Sequence, residues 1–286
     1  MNIDSHQHFW SFDPVRDTWI TDEMSILKRD FLPDALIPQL RMNQMDGCVA
    51  VQVSQSEAET NFLLELASRF NEIAGVVGWI DLCSPDLPQR LKHFSQYDEL
   101  RGFRHIVQSE PDDRFMLRKE FLAGIAVLQR FNFTYDILIY PRHLPAAIEM
   151  VERLPQQRFV LDHIAKPMIR SGVLSPWSEQ IRILAASPNV YCKLSGIVTE
   201  ADWKNWRTTD FRRYLDVVFD AFGPDRLMFG SDWPVCLLAG TYADVKGLIS
   251  NYIRTLPIEQ QHNIFGRNAA RFYKLKTSRY EPATER

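Results

Sequence analysis

The sequence predicts a single (β/α)8 barrel, and three observations carry that expectation. Eight short runs with strand character recur along the 286 residues, at 2–8, 47–53, 74–80, 100–106, 133–139, 158–163, 189–194 and 226–231. Several are continuously apolar, as in Cys48-Val49-Ala50-Val51 and Phe159-Val160-Leu161, which suits strands buried on both faces. Between most of them lie segments with helical spacing, at 57–70, 121–130, 144–153, 177–186 and 211–221. A repeated strand-then-helix order is the signature of a parallel sheet, and eight units favour closure. A doubly wound open sheet is the alternative, but no G-x-G-x-x-G or Walker-type loop supports its nucleotide-binding form.

Taken in order, the first run ends on His6-Gln7-His8. Residues two apart on a strand share a face, so both imidazoles project together. The stretch 9–37 then interrupts the rhythm; it carries Trp10, Phe12, Trp19 and Phe31 and is too long for a plain connection. It is expected as a loop inserted over the barrel mouth. The connection after the third run is short on helix signal, with 87–94 the only candidate. The last helical stretch, 258–275, should pack on the outside of the barrel, and the polar tail 277–286 should fray. No linker, low-complexity tract or repeat divides the chain, so 1–286 is expected as one domain.

Hydrophobic residues make up 45% of the chain and aromatics 12%, enough for a substantial core. Thirty-three Lys and Arg against 36 Asp and Glu give a net charge of −3, which argues against nucleic acid or an anionic membrane as partner. Cys48, Cys83, Cys192 and Cys236 form no C-x-x-C pair, and three lie in or beside apolar runs, as buried free thiols of a reducing cytoplasm do. The first strand begins at residue 2, and no stretch reaches about 18 consecutive apolar residues. The expectation is a soluble, cytoplasmic protein.

In barrels of this kind the active site lies at the C-terminal strand ends. Reading those ends gives His6 and His8, then Gln52, Arg104 and His105, Asp136, His163, Lys193 and Asp232. Two neighbouring imidazoles hold one divalent ion or donate to an anionic oxygen. Asp232, in Gly230-Ser231-Asp232-Trp233-Pro234, follows an apolar strand immediately and is the candidate to take a proton from water or to bind a metal with the imidazoles; the plain alternative is a helix N-cap. His163 closes another buried run, and Lys166 lies just beyond it. Arg104 and His105 point to opposite faces of a regular strand, so at most one looks into the barrel. Lys193 inside an apolar strand demands a partner or a polar cavity, and Asp136 is the structural partner at hand.

The four motifs Asp4-Ser5-His6-Gln7-His8, Gly102-Phe103-Arg104-His105, Asp162-His163-Ile164-Ala165-Lys166-Pro167 and Gly230-Ser231-Asp232-Trp233-Pro234 span nearly the whole chain. Together they resemble the amidohydrolase superfamily, in its branch of sugar-acid lactonases. That branch includes L-fuconolactonases and L-rhamnono-lactonases and is related to 2-pyrone-4,6-dicarboxylate hydrolases. The resemblance implies a (β/α)8 barrel with the His pair on its first strand and a base, here Asp232, after its last. Many superfamily members build a two-metal site with two further histidines; this sequence departs from that pattern, offering only His163 as a later strand-end histidine. One divalent ion on His6, His8 and Asp232, zinc first, is therefore the cofactor expected, with a metal-free site as the alternative.

The reaction so implied is hydrolysis of an aldonolactone such as L-fucono- or L-rhamnono-lactone, with Asp232 as general base and His163 as a second catalytic group. Arg104, His105, Lys166, Lys193, Gln52 and Trp233 are the residues expected to bind the substrate. The partner is a small lactone, and a homo-oligomer is compatible with it. Rival readings are an aromatic-pathway lactonase or a metal-dependent decarboxylase of the same superfamily, for which Arg104 and Lys193 could anchor a dicarboxylate, and a non-catalytic sugar-binding barrel.

Overall fold

The computed structural model describes residues 1–276, so the tail expected to fray lies outside the described residues. Eight strands run parallel in sequential order: β1 (Ile3–Gln7), β2 (Gly47–Val51), β3 (Ile73–Gly78), β4 (Leu100–Ile106), β5 (Thr134–Leu138), β6 (Phe159–Leu161), β7 (Val190–Leu194) and β8 (Leu227–Phe229). Beyond their ends β1 and β8 are joined. The His8 N–H donates to the Trp233 carbonyl and the Asp232 N–H to the His6 carbonyl, each at 2.8 Å. This seam nearly closes a barrel, and it sets the carboxylate of residue 232 beside the His pair.

Eight helices follow the strands: α1 (Pro33–Met42), α2 (Glu57–Arg69), α3 (Leu87–Phe94), α4 (Lys119–Arg130), α5 (Leu144–Arg153), α6 (Trp177–Ala185), α7 (Thr208–Phe222) and α8 (Tyr242–Ile253). The weak stretch at 87–94 is helical, with buried Leu87, Leu91 and Phe94 on one face. Two helices escaped the sequence reading. Helix α1 begins at Pro33, inside the stretch expected as loop, because proline at the first position loses no hydrogen bond; Pro38 inside the same helix masks its signal. Helix α8 starts on Thr241, whose hydroxyl accepts from the Asp244 N–H at 3.2 Å while the Asp244 carboxylate accepts from the Thr241 N–H at 2.8 Å, a reciprocal cap that satisfies two free donors.

The stretch 258–275 departs from its expected position. After α9 (Ile258–His262) and a wider π turn, α10 (Asn268–Tyr273) lies against the barrel floor instead of its outer wall. Ala269, Phe272 and Tyr273 are buried with the inward-facing Ile3, Val49, Val51, Val77, Val160 and Met228. Filling the floor buries apolar side chains at about 1.5–3 kcal/mol each, a demand that a pattern confined to one segment does not reveal.

Strand β1 carries an irregularity that matters for the site. Its register against β2 runs Asp4 to Cys48 but Gln7 to Ala50, so one extra residue sits on β1. Ile3 and His6, of opposite parity, thereby both face the lumen, and bulges at barrel rims re-aim side chains in this way.

Candidate active site

The site grows upward from a buried layer of charge. On β4 and β7, Arg104 and Lys193 point into the lumen, where Asp136 and Asp162 meet them. Lys193 Nζ lies 2.6 Å from Asp136 Oδ2 and 3.0 Å from Asp162 Oδ1, and Arg104 reaches Asp162 Oδ2 at 3.1 Å. Tyr273, rising from the floor helix, donates its hydroxyl to Asp136 at 2.7 Å. Burial pushes the Asp162 carboxyl up, but Lys193 and then Arg104 outweigh it and hold it below its ordinary range. Two cations and two carboxylates thus neutralise one another out of water, the condition for burying any of them.

His6 sits on this layer. Its Nδ1 faces Lys193 Nζ at 3.1 Å and Asp162 Oδ1 at 3.3 Å. Burial, then Lys193, keeps the ring neutral, well below the ordinary histidine range. Its Nε2 lies 3.2 Å from His8 Nε2, 3.3 Å from Arg104 Nη1 and 3.8 Å from Asp232 Oδ1. His8 Nδ1 lies 2.7 Å from the Val51 carbonyl. A carbonyl only accepts, so Nδ1 carries the proton and Nε2 presents a lone pair to Asp232 Oδ1 at 3.3 Å. Burial raises the Asp232 carboxyl, yet His163, His8 and Lys166 together carry it below its usual value.

These atoms fit a divalent cation. Ligands on one tetrahedral zinc, at bond lengths of about 2.0–2.1 Å, lie about 3.3 Å from each other, and the three separations here are 3.2, 3.3 and 3.8 Å. Lone pairs held that close repel unless a cation or a proton lies between them. His163 approaches from the far side, its Nε2 4.0 Å from Asp232 Oδ1 and its Nδ1 2.9 Å from the Ser195 hydroxyl. Burial lowers the pKa of this imidazole well below the ordinary range, against the opposing pull of Asp232.

Two irregular backbones aim these groups. His163, Ile164, Ala165 and Lys166 all have left-handed φ, at 53°, 49°, 61° and 48°, a conformation costing roughly 1–2 kcal/mol per non-glycine residue. The turn is held by the Trp177 indole N–H donating to the Ile164 carbonyl at 2.8 Å. Asp232 is also left-handed, at 57°, and its loop is pinned by Asp4. That carboxylate accepts from the Ser231 N–H at 2.9 Å, the His6 N–H at 3.1 Å and the Tyr242 hydroxyl at 2.9 Å, while burial raises its pKa to about 6. Strain concentrated in this way is typical of functional sites.

The expected site residues divide. His6, His8, His163 and Asp232 come together, with Lys166 at the rim beside Glu200, 3.6 Å away. Arg104 and Lys193 reach the lumen but lie beneath His6, where Arg104 meets Asp162, the Gln52 carbonyl and, at 3.3 Å, His6 Nε2, and Lys193 meets Asp136 and Asp162. Gln52 is buried next to them, its amide donating to the Arg104 carbonyl at 3.0 Å. His105 faces the other way. Strand alternation sends it between sheet and helices, stacked on Phe115 with ring centroids 4.9 Å apart and bonded to Glu110 at 2.7 Å, away from the His6–His8–Asp232 cluster. Trp233 is buried under the 9–37 stretch, packed edge-on against Phe31 at 5.3 Å and Phe9 at 6.5 Å, and offers no free face for stacking. Asp162 was missed as a site residue. Two buried cations on inward strands require two carboxylates, and Asp136 supplied one; that unmet need was the available signal. Asp4, Ser195 and Glu200 carried none.

Three comparisons with known proteins agree with this geometry. Residues 3–275 match the amidohydrolase family. An L-fucono-1,5-lactonase of Burkholderia multivorans is 43% identical, covering 100% of this chain and 99% of its own length, and one of Burkholderia ambifaria is 37% identical over 96% and 95%. The crystal structure of an amidohydrolase from Burkholderia multivorans with bound Zn superposes at a TM-score of 0.93 and 43% identity, covering 96% of this chain and 100% of that one.

Proposed function

The chain belongs to the amidohydrolase family, and from that premise we propose that it hydrolyses the ring ester of a sugar-acid lactone, of the L-fucono-lactone kind, at the His6–His8–Asp232 cluster. The observation that carries this reading is the convergence of three atoms able to ligate a metal within 3.2–3.8 Å at the strand ends, on a chain similar over its whole length to lactonases. His6, His8 and Asp232 would hold one divalent ion, zinc by preference. Such an ion polarises a carbonyl and lowers the pKa of water.

The protein's own groups account for the proton traffic. Asp232, ionised and barely open to solvent, takes a proton from water as the water oxygen bonds to the lactone carbonyl carbon. The ring C–O bond breaks, and the leaving oxygen recovers that same proton from Asp232, with His163 beside it as a hydrogen-bonding neighbour. The products are a hydroxyl and a carboxylic acid, which ionises and releases acid to the medium. Ser195 fixes the His163 ring, and Asp4 fixes the Asp232 loop.

The dicarboxylate readings lose their anchors, because Arg104 and Lys193 are bound to Asp162 and Asp136. No helix among the described residues is long and apolar enough to cross a membrane, and the buried free thiols of Cys48, Cys192 and Cys236 support a reducing, cytoplasmic setting. The test is proton release on a panel of aldonolactones and pyrone dicarboxylates, before and after chelation. Acid from an aldonolactone, lost on chelation and restored by zinc, is the expected result. Acid release from none of them overturns the reading.

A further inference from the structure

Solvent exposure rises in steps through the site. The His6 side chain is 0% exposed, His163, Asp232 and His8 are 4%, 5% and 6%, and Lys166 and Glu200 are 19% and 22%. The last two are therefore the more open of these groups, and their electrostatic coupling to Asp232 keeps them within reach of the parts of a substrate beyond its carbonyl. They are set on stiff backbone: Lys166 ends the left-handed turn and precedes Pro167, and Glu200 ends the short turn Val198–Glu200. The Arg170 N–H donates to the Glu200 carbonyl at 2.9 Å, stitching the two loops together.

Their separation of 3.6 Å exceeds the 2.7–2.9 Å or so of a closed charge-assisted hydrogen bond. The ammonium keeps donors and the carboxylate keeps acceptor sites for something else. Each hydroxyl of a sugar ring both accepts and donates, so two neighbouring hydroxyls match one cation and one carboxylate side by side. The Tyr140 ring, 5.8 Å below Lys166 Nζ, adds a wall. Lys166 lowers the Asp232 carboxyl and Asp232 raises that of Glu200, so both groups lie within electrostatic range of the base.

Resting on the lactonase reading, we infer that Lys166 and Glu200 select the substrate by binding adjacent ring hydroxyls, so that the enzyme prefers hydroxylated lactones over plain ones. The test measures kcat/KM on an aldono-1,5-lactone and on unsubstituted δ-valerolactone for the wild type, Lys166→Met and Glu200→Gln. The ratio of the two cancels any general effect of altering charge near Asp232. Sites built to bind a substrate hydroxyl reject analogues lacking it by large factors; here the wild-type ratio should reach about 10²-fold, and each variant should lower it at least about tenfold, with the loss in KM. Glu200→Gln is nearly isosteric, so one folded variant remains even if Lys166→Met misfolds. A wild type that opens both lactones while the variants keep its ratio overturns this inference alone. A wild type that opens neither overturns the lactonase reading and this inference with it.

Discussion

Beneath His6, Arg104, Lys193, Asp136 and Asp162 form a sealed set of two cations and two carboxylates, each buried and each partnered. Above it, His8, His163 and Asp232 crowd around His6 Nε2, with lone pairs facing one another at hydrogen-bond range and slightly beyond. The lower layer is complete without a ligand and serves to hold His6 in place. The upper layer gathers His8 Nε2 and Asp232 Oδ1 around one point that a cation, a water or a substrate fits, while Arg104 reaches His6 Nε2 from below at 3.3 Å. Similar residue types, a few ångströms apart, thus serve opposite ends, and what separates them is whether the protein itself satisfies them.

Changes to either layer should therefore be felt in different measurements. The largest effect is expected from Asp232→Asn, which keeps shape but removes the base. Turnover should fall by about 10²–10⁴-fold while thermal stability stays close to wild type; undiminished turnover in the folded variant would remove Asp232 from the mechanism. Lys193→Met strikes the lower layer instead. It leaves Asp136 and Asp162 buried without their shared cation, and breaking such a set costs about 3–5 kcal/mol, read from urea unfolding. Stability equal to wild type would mean that the layer tolerates uncompensated charge and is not sealed as described.

Gly196→Ala probes the border between the layers. At φ 59° a Cβ would lie 2.4 Å from His163 Nδ1 and 3.1 Å from Asp232 Oδ2, so the imidazole must move. Displacing a catalytic group by about 1 Å costs about 10²-fold, and turnover should drop accordingly in a protein that still folds. The smallest change is Tyr273→Phe. It removes one hydrogen bond to a buried carboxylate, worth about 1.5–3 kcal/mol, and should lower the unfolding free energy while kcat changes less than about threefold. A larger fall in kcat would show that the floor helix governs the chemistry as well as the stability.

How much of this was legible beforehand varies by residue. The pairing of Lys193 with Asp136 followed from the cost of a lysine in an apolar strand, and the joint projection of His6 and His8 followed from strand geometry. The opposite facing of Arg104 and His105 was legible too, but not which one faced inward, because that depends on strand tilt and on where Asp162 waits. Trp233 read as a residue expected to bind the substrate, because nothing local distinguishes an aromatic that meets a sugar from one that meets Phe9 and Phe31. The 258–275 stretch read as an outer helix because its apolar pattern reports that a face is buried and not against what.

By itself the sequence determined the strand–helix alternation, the barrel it closes into and the chemical character of the strand ends. Hydrophobic periodicity and the intolerance of buried strands for charge act within a few residues and are printed in any short window. Only the tertiary structure decided which of those polar groups are consumed by one another and which are left facing a common point. The deciding contacts, such as Lys193 to His6, join residues 187 positions apart. Their distances follow from barrel closure, the β1 bulge and the left-handed turns at 163–166 and 232, which no local pattern encodes.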